Sequence, residues 1–149
     1  MYLAPEQSRL LFQQAVREQF AILAVNADSP AAIIDCLEAA KAADAPVIIE
    51  SSLWQLSSHS FGHVDAVRGL ARFASMVKMY AQSETYKDVP VIYHTDHIKG
   101  PQTLDILRPA IQGMDEADGL RAGSISLDSS ELTADENIEL IARLCDYAQ

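Results

Sequence analysis

Val89-Pro90-Val91-Ile92-Tyr93-His94-Thr95-Asp96-His97 begins as an apolar run and ends in three ionisable side chains within four positions. Val, Ile and Tyr suit a pleated, buried segment. Pro90 fits a strand only near its first residue, where a missing N–H costs least. His94, Asp96 and His97 then crowd the strand's C-terminal end, where a parallel αβ fold places its chemistry. Alternation along a strand sends His94 and Asp96 one way, Thr95 and His97 the other. With His97 already in the following turn, the alternation breaks and Asp96 and His97 converge on one site. A carboxylate between two imidazoles offers a metal ligand and a proton-transfer group on one rigid support. The competing reading is structural: Asp96 caps the next turn and His97 is a solvated loop residue.

Working outward, the same pattern recurs. Phe20 to Val25 is a continuous apolar run, typical of a strand covered on both faces, and Asn26 follows it. Pro46 to Glu50 runs into Ser51 and Ser52, and Ser124 to Asp128 runs into Ser129 and Ser130. Helical stretches separate these strands. Pro5 to Gln19 carries a stripe of Leu10, Leu11, Ala15 and Val16. Asp28 or Ser29 can cap a helix to about Ala43, with Pro30 at its first position and Ile33, Ile34, Leu37 and Ala40 inward. The segment from about Val64 to Gln82 puts Val67, Leu70, Ala74 and Val77 on one side, with Met76 and Met79 as core filler. Thr103 can cap a helix to about Met114, kinked or shortened by Pro109. Thr133 and Glu136 form a capping box for the last helix, with Ile138, Ile141, Leu144 and Cys145 inward. His59 and His63 have the spacing of a helical metal pair. Gly62 interrupts them and no acidic residue accompanies them, which argues against a metal there.

The order is one helix followed by four βα units, which implies a parallel sheet with right-handed crossovers. No linker divides residues 1–149, so a single domain is expected. The polar tips at Asn26, at Glu50 to Ser52, at His94 to His97 and at Asp128 to Ser129 would open on one face and outline a shared pocket.

Composition narrows the partners. The chain has 149 residues, 49% of them hydrophobic, and a formal charge of −10. No basic cluster exists to neutralise phosphates, which argues against nucleic acid, and the charge disfavours an anionic membrane surface. No apolar run is long enough to span a bilayer. Cys36 and Cys145 read as reduced core residues. With no basic segment leading into an apolar run near Met1, a cytoplasmic location is expected.

These strand ends resemble the zinc-dependent class II ketose-bisphosphate aldolases, the fructose- and tagatose-bisphosphate aldolases. The matches are Phe20 to Asn26, Ala45 to Ser52, Val89 to His97, and Ser126 to Ser130 followed by Glu136 to Glu139. The His94-Thr95-Asp96-His97 element is the most specific, and the pieces occur in the family's order over most of the chain. The resemblance implies a (β/α)8 TIM barrel that cleaves a ketose bisphosphate to glycerone phosphate and an aldehyde or aldehyde phosphate, as in carbohydrate metabolism and glycolysis. It implies Zn2+, with His97 as a ligand and Asp128 as an aspartate close to the metal. It implies Asp96 as the catalytic acid and base at the C4 hydroxyl, and Asn26 and Ser52 as substrate contacts. Two departures stand out. Four βα units are about half of such a barrel, which normally needs about 250 residues, so the remaining zinc histidines and most of the phosphate-binding loop are not in this stretch. Leu53-Trp54-Gln55 also replaces the small residues usual after the serine of the second strand.

A half barrel leaves its first and fourth strands as open edges. It is expected to pair with a second half barrel, supplied by another copy or another chain, or to be a fragment of a longer protein, and to have little activity alone, since catalytic zinc takes about three protein ligands. Two rivals differ in kind. A non-catalytic half-barrel subunit would dock onto a catalytic partner. An unrelated αβ sugar-phosphate binding module would bind ligand regardless of chelators.

Overall fold

The computed structural model describes residues 1–114 and 120–148. Its elements follow the expected order: α1 (Pro5–Glu18), β1 (Leu23–Asn26), α2 (Pro30–Ala43), β2 (Val47–Ser52), α3 (Leu53–Ser57), α4 (Ala66–Ala81), β3 (Val91–Ile98), α5 (Thr103–Gln112), β4 (Ser124–Leu127) and α6 (Ala134–Tyr147). The four strands form one sheet in the order β1-β2-β3-β4, each pair parallel. The short helix α3 was not expected from the sequence. It occupies the connection after β2, where Leu53-Trp54-Gln55 supplies good helix formers in place of small residues.

Local chemistry sets the helix starts. Ser29 caps α2 by accepting from the Ala32 N–H at 3.2 Å, and Pro30 follows at the first turn. Asp65 caps α4 through the Arg68 N–H at 3.0 Å. Thr133 and Glu136 form the expected reciprocal box on α6. α5 carries Pro109 within it and ends at Gln112, where Gly113 leaves the helical region at φ +144° and its N–H closes on the Pro109 carbonyl at 2.9 Å.

The strand pleat sorts the sheet into two faces. In β2, Val47, Ile49 and Ser51 are buried, whereas Ile48, Glu50 and Ser52 are half-exposed. The buried set lies under the helices, in one core with Ile33 and Leu37 of α2, Leu70, Phe73 and Val77 of α4, and Ile106 and Leu107 of α5. Phe73 sits between Phe61 at 4.7 Å and Tyr93 at 5.5 Å, ring centre to ring centre. α3 and α4 approach so closely that a Cβ on Gly69 would fall 1.8 Å from the Leu56 carbonyl oxygen.

Several expectations of burial fail at the margins of the sheet. β1 is not covered on both faces, and Leu23 is 71% exposed. On α1, Ala15 is buried but Val16 is 80% exposed, and on α6 only Leu144 is buried, with Ile138 67% exposed. Cys145 is exposed and Cys36 half-buried, both free. Met79 and Val67 are exposed as well. The helical periods were read correctly, yet a period says only which residues share a stripe. Burial needs a neighbouring element, and β1, β4 and their flanking helices have one on a single side.

Candidate active site at the strand tips

Parallel pairing in register lays the polar tips side by side. Asn26 pairs with Glu50, Glu50 with His94, and His94 with Ser124, giving one row across all four strands. Ser52 and Asp96 pair one step further along. Because all these positions share one phase of the pleat, they lie on the uncovered face, away from Ser51, Tyr93 and Thr95. Behind them, Ser51 Oγ and Tyr93 Oη lie 2.9 Å apart in the buried layer, where desolvation pushes the phenol's pKa up and keeps it neutral.

Asn26 ties the row together. Its Nδ2 donates to Glu50 Oε1 at 3.1 Å and to Asp96 Oδ2 at 3.3 Å. Both acceptors are carboxylates, so both bonds are charge-assisted. The other Asp96 oxygen, Oδ1, meets His97 Nδ1 at 2.6 Å. The sequence placed His97 in the turn. The strand instead continues through Ile98, but the β3–β4 register shifts between Thr95 and Ile98, and His97 sits at φ +48°. That irregularity breaks the alternation and lets neighbouring residues meet. A non-glycine residue at positive φ is uncommon and concentrates at functional positions.

The remaining polar groups complete the mouth. His94 Nδ1 lies 2.8 Å from Ser124 Oγ, and burial pulls the His94 pKa down despite Asp96 nearby. Burial pushes the Glu50 carboxyl up, and the Asp96 charge adds to this while His97 opposes it. Asp128 turns toward its own loop: Oδ1 accepts from Ser130 Oγ at 2.6 Å and from the Ser130 N–H at 3.1 Å, and Lys99 Nζ lies 3.7 Å from Oδ2. The two Ser130 bonds, with Lys99 and His97 assisting, hold this carboxyl below the usual range. Ser52 caps the mouth next to β3, with its hydroxyl bonded to Gln55 Oε1.

Of the five residues singled out by sequence, Asn26, Asp96 and His97 are joined by direct hydrogen bonds. Ser52 is the register partner of Asp96. Asp128 bonds within its own loop and meets the others through charge. Among the described residues, the group whose ligand atoms all lie within 4.8 Å of one another is Glu50, His94 and Asp96. These are oxygen and nitrogen donors of the kind zinc accepts. His97 also fits a metal ligand, because Asp96 engages Nδ1 and leaves Nε2 to point elsewhere. The sequence places Glu50 and His94 among the polar tips of the shared mouth without giving either a role, and it does not single out Ser124. The parallel register is the signal that adds Ser124 and sets all three in the row of Asn26.

The sequence model of the family described as class II fructose-bisphosphate aldolase matches residues 6–149. The chain belongs to that family. A fructose-bisphosphate aldolase of Candida albicans is 33% identical over 145 residues, covering 89% of this chain and 39% of the relative. One from Treponema pallidum is 28% identical, covering 93% and 36%. The crystal structure of the Campylobacter jejuni fructose-bisphosphate aldolase superposes with a TM-score of 0.78 at 32% identity, over 94% of this chain and 41% of that one. A putative aldolase of Coccidioides immitis, 19% identical with a TM-score of 0.69, shares the fold. The chain thus spans about two-fifths of the length of these relatives, and its helix and four βα units are part of the aldolases' TIM barrel.

Proposed function

We propose that this chain contributes the substrate-facing, proton-transferring half of a class II aldolase, acting on a phosphorylated ketose by reversible retro-aldol cleavage. The observation that carries the reading is the convergence of Asn26 and His97 on the two oxygens of Asp96 at a shared strand-tip mouth. Family membership supports it. On this reading the 149 residues are part of one barrel, and further βα units, from a longer form of this chain, another copy or another chain, complete the sheet at β1 and β4.

Asp96 is the group that takes the proton of the C4 hydroxyl. The C3–C4 bond then breaks, its electrons pass to the ketone-bearing fragment as an enediolate, and the other fragment leaves as an aldehyde. Asn26 holds the Asp96 carboxylate on one side, which fixes the direction in which it can accept. Asn26 and Ser52 face the substrate. His97, whose Nδ1 is engaged by Asp96, would hold the zinc, and Asp128 would serve as the second residue of the metal site. Zinc, when bound, supplies Lewis-acid polarisation of the ketone oxygen. A second placement, on Glu50, His94 and Asp96, is favoured by the mutual proximity of their ligand atoms.

The test is zinc content and cleavage of fructose and tagatose 1,6-bisphosphates, measured with and without a supplied carboxy-terminal half of an aldolase. The expected result is turnover only in the complemented, zinc-loaded sample, with a loss of at least about 100-fold in Asp96→Ala, in line with general acid–base catalysis. Zinc lost in His97→Ala but kept in His94→Ala supports the first placement, and the reverse supports the second. Complementation without turnover favours a non-catalytic subunit. No turnover, with ligand binding insensitive to chelators, favours a sugar-phosphate binding module.

A further inference from the structure

We propose that the part of the mouth between β1 and β2 receives hydroxyl groups and turns phosphate away, and that Gln55 is the positioning residue that sets this preference. The inference rests on the reading that Asn26 and Ser52 face substrate, and it names what part of the substrate they face.

A serine hydroxyl has one proton to give. Ser52 Oγ gives it to Gln55 Oε1 at 2.5 Å. The direction is forced, because an amide oxygen cannot donate. The amide of Gln55 cannot be turned round either. Its Oε1 also accepts the Ser52 backbone N–H at 2.9 Å, and its Nε2 donates to Asp28 Oδ1 at 2.9 Å. A backbone N–H only donates and an ionised carboxylate only accepts, so both ends of the amide are assigned by their partners. Gln55 is 6% exposed, and water competes poorly for these bonds.

Asn26 is committed in the same way. Its two amide protons go to Glu50 and Asp96. What both residues leave for a ligand is acceptor atoms: the lone pairs of Ser52 Oγ and the Oδ1 of Asn26. No side-chain donor among the described residues is bonded to either. A phosphate dianion brings acceptors and two negative charges. Here it would meet unmatched acceptors, with Asp28 one amide away from Ser52. A carbinol group brings its own proton and satisfies either atom. The replacement of small residues by Leu53-Trp54-Gln55 is what supplies the amide. The ligand class for this end of the mouth is therefore an uncharged polyhydroxylated carbon chain, with phosphate held elsewhere in the assembly.

The experiment titrates the 15N-labelled protein with erythritol and, separately, with inorganic phosphate, and follows the Asn26 and Ser52 amide resonances. Erythritol is expected to move them saturably, and phosphate to need at least about tenfold higher concentration for any shift there, the scale of an unmatched polar contact. Gln55→Ala frees the Ser52 proton and is expected to raise phosphate affinity at Ser52 at least about tenfold while weakening erythritol. Asp28→Asn, which keeps Gln55 in place, should move the ratio the same way and serves if the first variant fails to fold. A merely structural role for Gln55 would change both ligands by one factor, and that outcome overturns the proposal. So does phosphate moving Ser52 in the unaltered protein as readily as erythritol, and so does the absence of any shift with either probe. The aldolase reading is judged separately by turnover in the complemented assay, so phosphate at Ser52 with turnover intact sinks this inference alone.

Discussion

Leu23, Val47 and Val91 stand in one register row across the first three strands. Val47 and Val91 are 3% and 0% exposed, and Leu23 is 71% exposed. The three residues are alike in chemistry and in their place along the strand. What differs is the neighbourhood. β2 and β3 have a strand on each side and α2, α4 and α5 against one face. β1 has one strand neighbour, and so does β4. The same contrast separates Phe73, fully buried on α4, from Val16 on α1 and Ile138 on α6. In a closed barrel every strand has two neighbours, so the middle of this sheet already experiences the environment of a complete fold and its margins do not.

The contrast makes its largest prediction at the centre. Phe73→Ala should cost about 3–5 kcal/mol of unfolding free energy, because it removes a ring enclosed by Phe61 and Tyr93 with no means of collapse. A urea midpoint shifted by less than half of that would mean the centre is looser than its packing implies. Gly69→Ala comes next, at about 2–3 kcal/mol, since its methyl must push α4 off the Leu56 carbonyl oxygen. Thermal melts of this variant against Ala71→Gly, elsewhere on the same helix, separate the steric clash from helix propensity.

Smaller effects belong to the margins. Thr133→Ala should speed amide exchange in the first turn of α6 roughly fivefold, the scale of a lost cap. Its pH dependence follows from Glu136, whose carboxyl is held below its ordinary value of 4.5 by the Thr133 hydroxyl and N–H. A depressed carboxyl contributes stability that is complete above the unfolded value and is lost as pH falls through the folded one. The exchange difference between variant and parent should therefore persist at pH 7 and close on acidification below about 4.5. A difference that widened in acid would reverse the assignment. The smallest effect is Leu23→Ser, within about 0.5 kcal/mol for the chain alone, as for an exposed position. If a second half barrel pairs with β1, the same substitution should cost about 1.5–3 kcal/mol in the complex, the value of a newly buried leucine.

The fold was legible because every strand, and every helix but α3, declared itself locally. Continuous apolar runs ending in polar residues marked the strands, and Ser29 with Pro30 and Thr133 with Glu136 marked the helix starts. Burial at the margins was not legible, since Ile138 and Leu144 obey one period and only the surroundings distinguish them. The site was legible in part. Asp96 and His97 announced themselves by type and spacing, but their contact depends on a register shift and a positive φ that nothing in His94-Thr95-Asp96-His97 encodes locally. That Glu50 and His94 stand in one row with Asn26 and Ser124 needed the pairing of strands separated by tens of residues. The Ser52–Gln55–Asp28 chain needed α3, whose five residues are too few for a period to show.

The row from Asn26 to Ser124 depends on four strands counting in step. Deleting a single residue from β2 ahead of Glu50 would swap its two faces, sending that carboxylate beneath the helices and bringing a hydrophobic neighbour to the opening. Loops above the sheet can lengthen, shorten or change composition without disturbing this count. Variation within such a scaffold is thus channelled: indels accumulate in the connections, while the strands can change only by substitution.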